Sequence, residues 1–372
     1  MIRRIARALM TLGMFLIPAL ASAQVTPAAG YTPPDDTQAT KVGAVIFWDY
    51  TFTKTPKTTD AAGNTISASA FSVPRTYINV TGNISHNVAF RITPDVSRES
   101  GTGSSLAGSY TFRMKYGYAQ FNLDEWTGDW KQTWIRAGIQ QTPFVDALEG
   151  AYRYRFQGTT FIERDGGLSS ADAGISAHTN LPNNYGDIHV GYYNGEGYSK
   201  VEVNDQKALM ARFTLRPFPA GDFWMKGLRL TGGVIRDNVV QDAPRNRVIA
   251  GALYEYSLFN AGFDYIQLED KSLPTATLVK KDGWSVWVTP FFQEKGNGFE
   301  ALVRYDSFRQ NKDLTPDARQ NRLIAGLAYW FPHPGGNSTA AVLLDFEQVK
   351  FNNYTTPTPT QQRIILHGLI NF

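Results

Sequence analysis

Nowhere in the 372 residues is there a cysteine, which excludes disulfides, thiolate metal ligands and lipid attachment at a thiol. Beyond the first two dozen residues there is also no apolar run approaching the roughly 18 residues that a membrane-crossing helix needs. Nor does one sign of charge prevail. The chain has 36 Lys+Arg against 33 Asp+Glu, and Arg3, Arg4 and Arg7 sit in an opening stretch that holds no acid, so the rest is balanced. The basic surplus belongs to that opening and gives no argument for nucleic acid as a partner.

The opening itself, MIRRIARALMTLGMFLIPALASAQ, has a basic head, an apolar stretch from Ala8 to Leu20 and small residues at Ala21 and Ala23. This is the order of a secretory signal peptide, expected to cover residues 1–23 and to be cleaved after Ala23. Pro18 and the short apolar run argue against an uncleaved anchor. Residues 24–40, rich in Pro and Thr, read as a flexible lead-in.

What is plentiful is aromatic residues, 13% of the chain with 18 Tyr and 8 Trp, and segments of alternating polarity. Sixteen such segments run from Lys41 to the end: 41–54, 73–83, 87–97, 107–124, 130–142, 171–180, 186–196, 206–217, 226–237, 246–257, 260–270, 281–293, 298–309, 319–331, 338–350 and 361–372. Connections after odd segments are mostly long and polar, such as TPKTTDAAGNTISASA, and those after even segments mostly short, such as EKGNG. An exported soluble sandwich or propeller has no reason to sort its loops by parity. An up-and-down transmembrane barrel with both termini on the inner side does.

Face assignment points the same way. Val88, Phe90 and Ile92 alternate with Ala89, Arg91 and Thr93, and Phe299, Ala301 and Val303 alternate with Glu300 and Arg304. A charge facing lipid at mid-membrane costs roughly 2–4 kcal/mol, so the charged face belongs inside. The fourth segment shifts its apolar face between Tyr116 and Phe121, which predicts a β-bulge near Gly117. The last segment, RIILHGLINF, alternates to its final atom, so Phe372 is expected in the inner aromatic girdle of an all-β antiparallel barrel spanning residues 41–372. Outer-membrane lipid and lipopolysaccharide would surround such a barrel.

One outer connection is unlike the others. Thr142 to Ser170, TPFVDALEGAYRYRFQGTTFIERDGGLSS, is long and rich in Arg and aromatics. Loops of this length are usually functional or disordered, and the aromatics argue against disorder. Residues 143–170 are expected to fold inward as a constriction loop, bringing Arg153, Arg155 and Arg164 towards Glu163 and Asp165.

The order of several motifs resembles the phosphate-selective porin O and P family of Gram-negative outer membranes. It is carried by Gly138, Pro143 and Phe144 entering the loop, Glu163 and Arg164 leaving it, Asp172 and Gly174 opening the next strand, and Asn194 and Gly195 after the one following. The resemblance implies a homotrimeric channel for small hydrophilic solutes or anions, with anion preference set by constriction cations. It also implies that terminal Phe372 is read by the barrel-assembly machinery. Arginine forks suit phosphate oxygens, so the candidate pore-lining cations are Arg75, Arg91, Arg113, Lys115, Arg136, Arg153, Arg155, Arg164, Arg212 and Arg216. The competing reading is that these cations solvate the wall and pair with Asp49, Asp95, Glu300 or Asp345. No long inward lysine ladder is visible, so a general or weakly anion-selective channel is the broader expectation.

Two other classes are weighed. A barrel enzyme needs a His with Ser or an acid in a catalytic constellation, and His86, His178, His189, His333 and His367 show none. An adhesive or structural barrel would lack conductance. A receptor with a plug domain would need a much longer chain. Neither a metal-ligand spacing nor a cofactor motif is present.

Overall fold

The computed structural model describes residues 36, 38–101, 103–220, 224–332 and 339–372. The expected signal peptide, its cleavage after Ala23, most of the lead-in and His333 lie outside the described residues. Sixteen long strands follow in chain order: β1 (Ala39–Thr55), β2 (Ser69–Asn83), β3 (Val88–Arg98), β4 (Tyr110–Asn122), β5 (Trp134–Gln141), β6 (Ala171–Asn180), β7 (Gly186–Tyr193) and β8 (Ala208–Leu215) in the first half. The second half holds β9 (Leu228–Arg236), β10 (Arg245–Glu255), β11 (Phe259–Asp270), β12 (Val279–Pro290), β13 (Gly298–Arg309), β14 (Arg319–Trp330), β15 (Thr339–Asn352) and β16 (Gln361–Asn371). Each pairs antiparallel with its neighbours, and β16 returns to β1, closing the barrel. The first outer loop adds a small hairpin, Thr58–Thr59 with Thr65–Ile66.

Closure explains the terminal phenylalanine. Phe372 N–H donates to Ala44 O at 3.1 Å and Ala44 N–H donates back to Phe372 O at 2.9 Å, so the last residue is paired into the wall. Ile364, Leu366, Ile370 and Phe372 face outward and are exposed, while Ile365, His367 and Leu369 face inward and are buried. Ringing the inner edge, Trp126, Trp224, Phe292, Phe331 and Phe372 are exposed in the same way. Such a girdle is what the headgroup boundary of a bilayer selects. On the outer half, Trp284 and Tyr305 on neighbouring strands pack at a tilt of 39° with centroids 5.5 Å apart.

The expected bulge exists, two residues before Gly117. The β3–β4 register runs Thr93↔Tyr116 and then Pro94↔Met114, which leaves Lys115 as the extra residue. Pro94 has no N–H to offer the ladder, and such positions are where bulges occur. The consequence is local: Lys115 and Tyr116, consecutive in sequence, are both buried.

The inner wall carries apolar side chains beside the charged ones. Ile235, Ile249, Ile266, Trp287, Leu302, Ile324, Leu343 and Leu369 form one apolar core with residues of the 142–170 loop. An inward apolar side chain is stable here because the loop covers it and keeps water away.

Candidate functional site

The 142–170 loop forms α1 (Val145–Tyr152) and α2 (Phe161–Arg164), and it is folded into the barrel. Its apolar residues Phe144, Val145, Leu148, Tyr152, Tyr154, Phe156, Phe161 and Ile162 are all buried against the wall. Room for this comes partly from Gly233 on β9, where a Cβ would stand 2.6 Å from the Phe144 ring. Buried polar backbone in a loop needs partners, and wall side chains supply them. Asn260 donates to Ala151 O at 2.9 Å, Arg304 to Thr159 O at 2.9 Å and Arg247 to Gly166 O at 3.0 Å.

The loop cations are all matched to acids. At the end of α1, Arg153 adopts a left-handed backbone conformation, with φ 63°, uncommon for a side-chain-bearing residue. Its guanidinium reaches Glu300 on β13 at 3.0 Å, and the Tyr154 hydroxyl donates to the same carboxylate at 2.8 Å. Arg155 pairs with Glu149 at 2.6 Å and with Glu163 at 3.6 Å. Burial works against the Arg155 charge, yet Glu163, Tyr77 and Glu149 outweigh it and raise its proton affinity. Arg164 faces Glu347 on β15 at 3.7 Å, and Asp165 accepts from Gln320 at 2.9 Å. The loop arginines therefore clasp loop to wall; the expected approach of Arg155 to Glu163 is present, and Arg153 goes to a strand 147 residues away.

The strand cations singled out in the sequence lie on the arc β2–β8, while Arg247, Arg304 and Arg322 stand on the other half. Arg75 and Arg113 share the buried Asp95 carboxylate at 2.5 and 2.9 Å, and Tyr198 from the loop after β7 donates to it at 3.1 Å. Arg91 bonds Asn79 and Thr93 and lies over the Tyr116 ring. Arg212 pairs with Asp187. Lys115 and Arg136 differ: among the described residues neither forms an ion pair. The Lys115 ammonium reaches the Tyr77 hydroxyl at 3.3 Å, and Arg136 bonds the side-chain carbonyls of Gln120 at 2.8 Å and Gln141 at 3.1 Å. Arg216, at the inner mouth, has no ion pair among the described residues either, and Arg229 nearby is bound to Glu255. At mid-height Tyr77, Arg91, Lys115, Arg136, Ser176, His189 and Arg212 are buried, so the wall side chains are closely covered there.

Of the acids named as partners for wall cations, Asp95 takes Arg75 and Arg113, whereas Glu300 takes Arg153 of the loop. Asp345 faces His367 at 3.4 Å instead, and Asp49 accepts from Ser72. Missed in the sequence were two histidine contacts. His178 stacks on Trp134, 5.0 Å between centroids and 12° between planes, with Asp187 at 3.5 Å, and His189 lies 3.2 Å from the Ser176 hydroxyl. That hydroxyl donates to Gln140 at 2.6 Å, away from the imidazole, so the pair is not arranged to activate a nucleophile. No cluster with metal-holding geometry occurs among the described residues.

Comparison with solved structures decides the fold. OmpT of Vibrio cholerae in its trimer form superposes with a TM-score of 0.60 at 11% identity, covering 91% of this chain and 100% of that one. The fold is that of an outer-membrane porin. Two further porin-like neighbours agree: an anion-selective porin from Comamonas acidovorans, TM-score 0.61 at 12% identity over 90% of this chain and 100% of that one, and the channel DcaP of Acinetobacter baumannii, TM-score 0.61 at 11% identity over 93% and 100%. No protein-family model matches the porin-like chain, and no curated protein matches it.

Proposed function

We propose that the protein is a weakly anion-preferring diffusion channel of a Gram-negative outer membrane, exported with residues 1–23 removed and assembled as a homotrimer. The reading is supported by one observation above others: Arg136 stands on the inner wall at mid-height with only neutral hydrogen-bond partners, and Lys115 near it forms no ion pair among the described residues, although Glu149 of the loop lies within its field. A pore wall whose cations are not cancelled attracts anions and repels cations. The assembly is in keeping with the trimeric neighbour and the preference with the anion-selective one.

Phosphate as the dedicated solute is the narrower form of this reading. Arg136 spends its Nε and one Nη1 hydrogen on Gln120 and Gln141, which removes the side-on Nε–Nη fork for a bidentate oxyanion. Single-point contacts favour fast passage of small anions, chloride and short carboxylates included, over retention of phosphate. The test is the reversal potential in a KCl gradient for the parent and for Lys115→Gln with Arg136→Gln. The parent should favour chloride and the double variant should lose most of that preference. An unchanged potential in the double variant would show that selectivity resides elsewhere.

A further inference from the structure

A cation buried in a wall usually has an acid beside it, because an unpaired buried charge is costly. This barrel follows that rule at Arg153 with Glu300, Arg155 with Glu149, Arg212 with Asp187, Arg247 with Asp270 and Arg304 with Asp306. At Arg136 it uses rings in place of an acid, and at Lys115 it adds rings to the field of Glu149 from the loop. The Lys115 ammonium lies 4.4 Å from the Tyr77 ring centroid and 5.3 Å from that of Tyr116. The Arg136 guanidinium carbon sits 3.8 Å over the Trp134 ring and 4.9 Å from Tyr118. His178, stacked on Trp134, fixes the plane of that ring, and the bulge at Lys115 delivers ammonium and Tyr116 to the same side.

An aromatic face attracts a cation through its quadrupole and carries no net charge. An acid in the same place would hold the cation equally well and cancel its field. We infer that Tyr118 and Trp134 are positioning residues that stand in for a counter-carboxylate, so that Arg136 is held in the wall with its charge left to act on a passing anion. The inference rests on the anion-preferring reading above, and it makes ring faces, which touch no solute, determinants of ion selectivity.

The test compares variants that keep the ring with variants that lose it, all in refolded, heat-modifiable full-length barrels. Tyr118→Phe and Trp134→Phe keep a face; Tyr118→Leu, Trp134→Leu, Tyr118→Met and Trp134→Met do not. The readout is the anion-to-cation permeability ratio from reversal potentials, with single-channel conductance recorded beside it. The ringless variants should lose about two-fold or more in the ratio, the lower end of what one cation–aromatic contact supplies, while the phenylalanine variants stay near the parent. A packing role alone would alter conductance or yield and would not be rescued by the ring in selectivity. Ringless variants with the parental ratio overturn the inference. A parent that prefers cations overturns instead the reading beneath it, and the two failures are read from different channels.

Discussion

Replacing Gln120 by Glu adds one negative charge at a known distance from Arg136 with almost no change of shape. The Gln120 carbonyl oxygen accepts from Arg136 Nε at 2.8 Å, so a carboxylate there becomes the missing acid partner. The loss to set against it is the amide donor that Gln120 gives Asn122 at 2.6 Å; the Asn122 amide can turn to donate in its place. An anion passing about 6 Å from the Arg136 charge gains roughly 0.7 kcal/mol at the dielectric of water and roughly 2.8 kcal/mol at an effective value of 20. A mid-range of about 1.4 kcal/mol corresponds to a factor of about ten in local anion concentration. With Lys115 still in place, Gln120→Glu should lower the anion-to-cation permeability ratio by about three- to ten-fold, more at 0.01 M than at 1 M salt because screening shortens the reach of the charge. The assay is reversal potential across a planar bilayer at two ionic strengths. A ratio equal to that of the parent at low salt would refute the claim that Arg136 acts as an uncompensated charge.

Two further outcomes follow from the loop and the seam. Arg153→Ala leaves Glu300 buried without its cation, a loss of roughly 3–5 kcal/mol in comparable pairs; the loop should loosen, and single-channel conductance should rise with little change in reversal potential. Unchanged conductance would mean that the apolar contacts of α1 alone hold the loop. Deleting Phe372 removes both backbone bonds to Ala44 and an outward aromatic ring, so the yield of heat-modifiable barrel should fall; parental yield would remove the terminal residue from the account of closure.

How much of this could be read from the chain differs by physical cause. All sixteen strands were legible because one face meets lipid, and the period of two in stretches such as the one ending at Phe372 needs no knowledge of partners. The inward loop was legible from its length and aromatics. The apolar part of the inner wall was not. In Leu343-Leu344 one leucine faces the loop and the other the bilayer, and alternation carries no signal where both faces are apolar. The bulge left a trace in the shifted pattern after Tyr116, yet its position is set by Pro94 on the neighbouring strand, which only the register reveals. Pairing was hidden for the same reason: Arg153 and Glu300 are brought together by barrel closure and loop direction. The rings beside Lys115 and Arg136 were visible as aromatics, and their relation to the cations required the cross-strand geometry of β2–β5.

The most direct measurement is the reversal potential of the purified, refolded parent chain in a planar bilayer under a ten-fold KCl gradient. Discrete conductance steps should appear, with a zero-current potential whose sign marks chloride as the more permeant ion. Insertion without conductance, or a potential of the sign that marks potassium, would contradict the account.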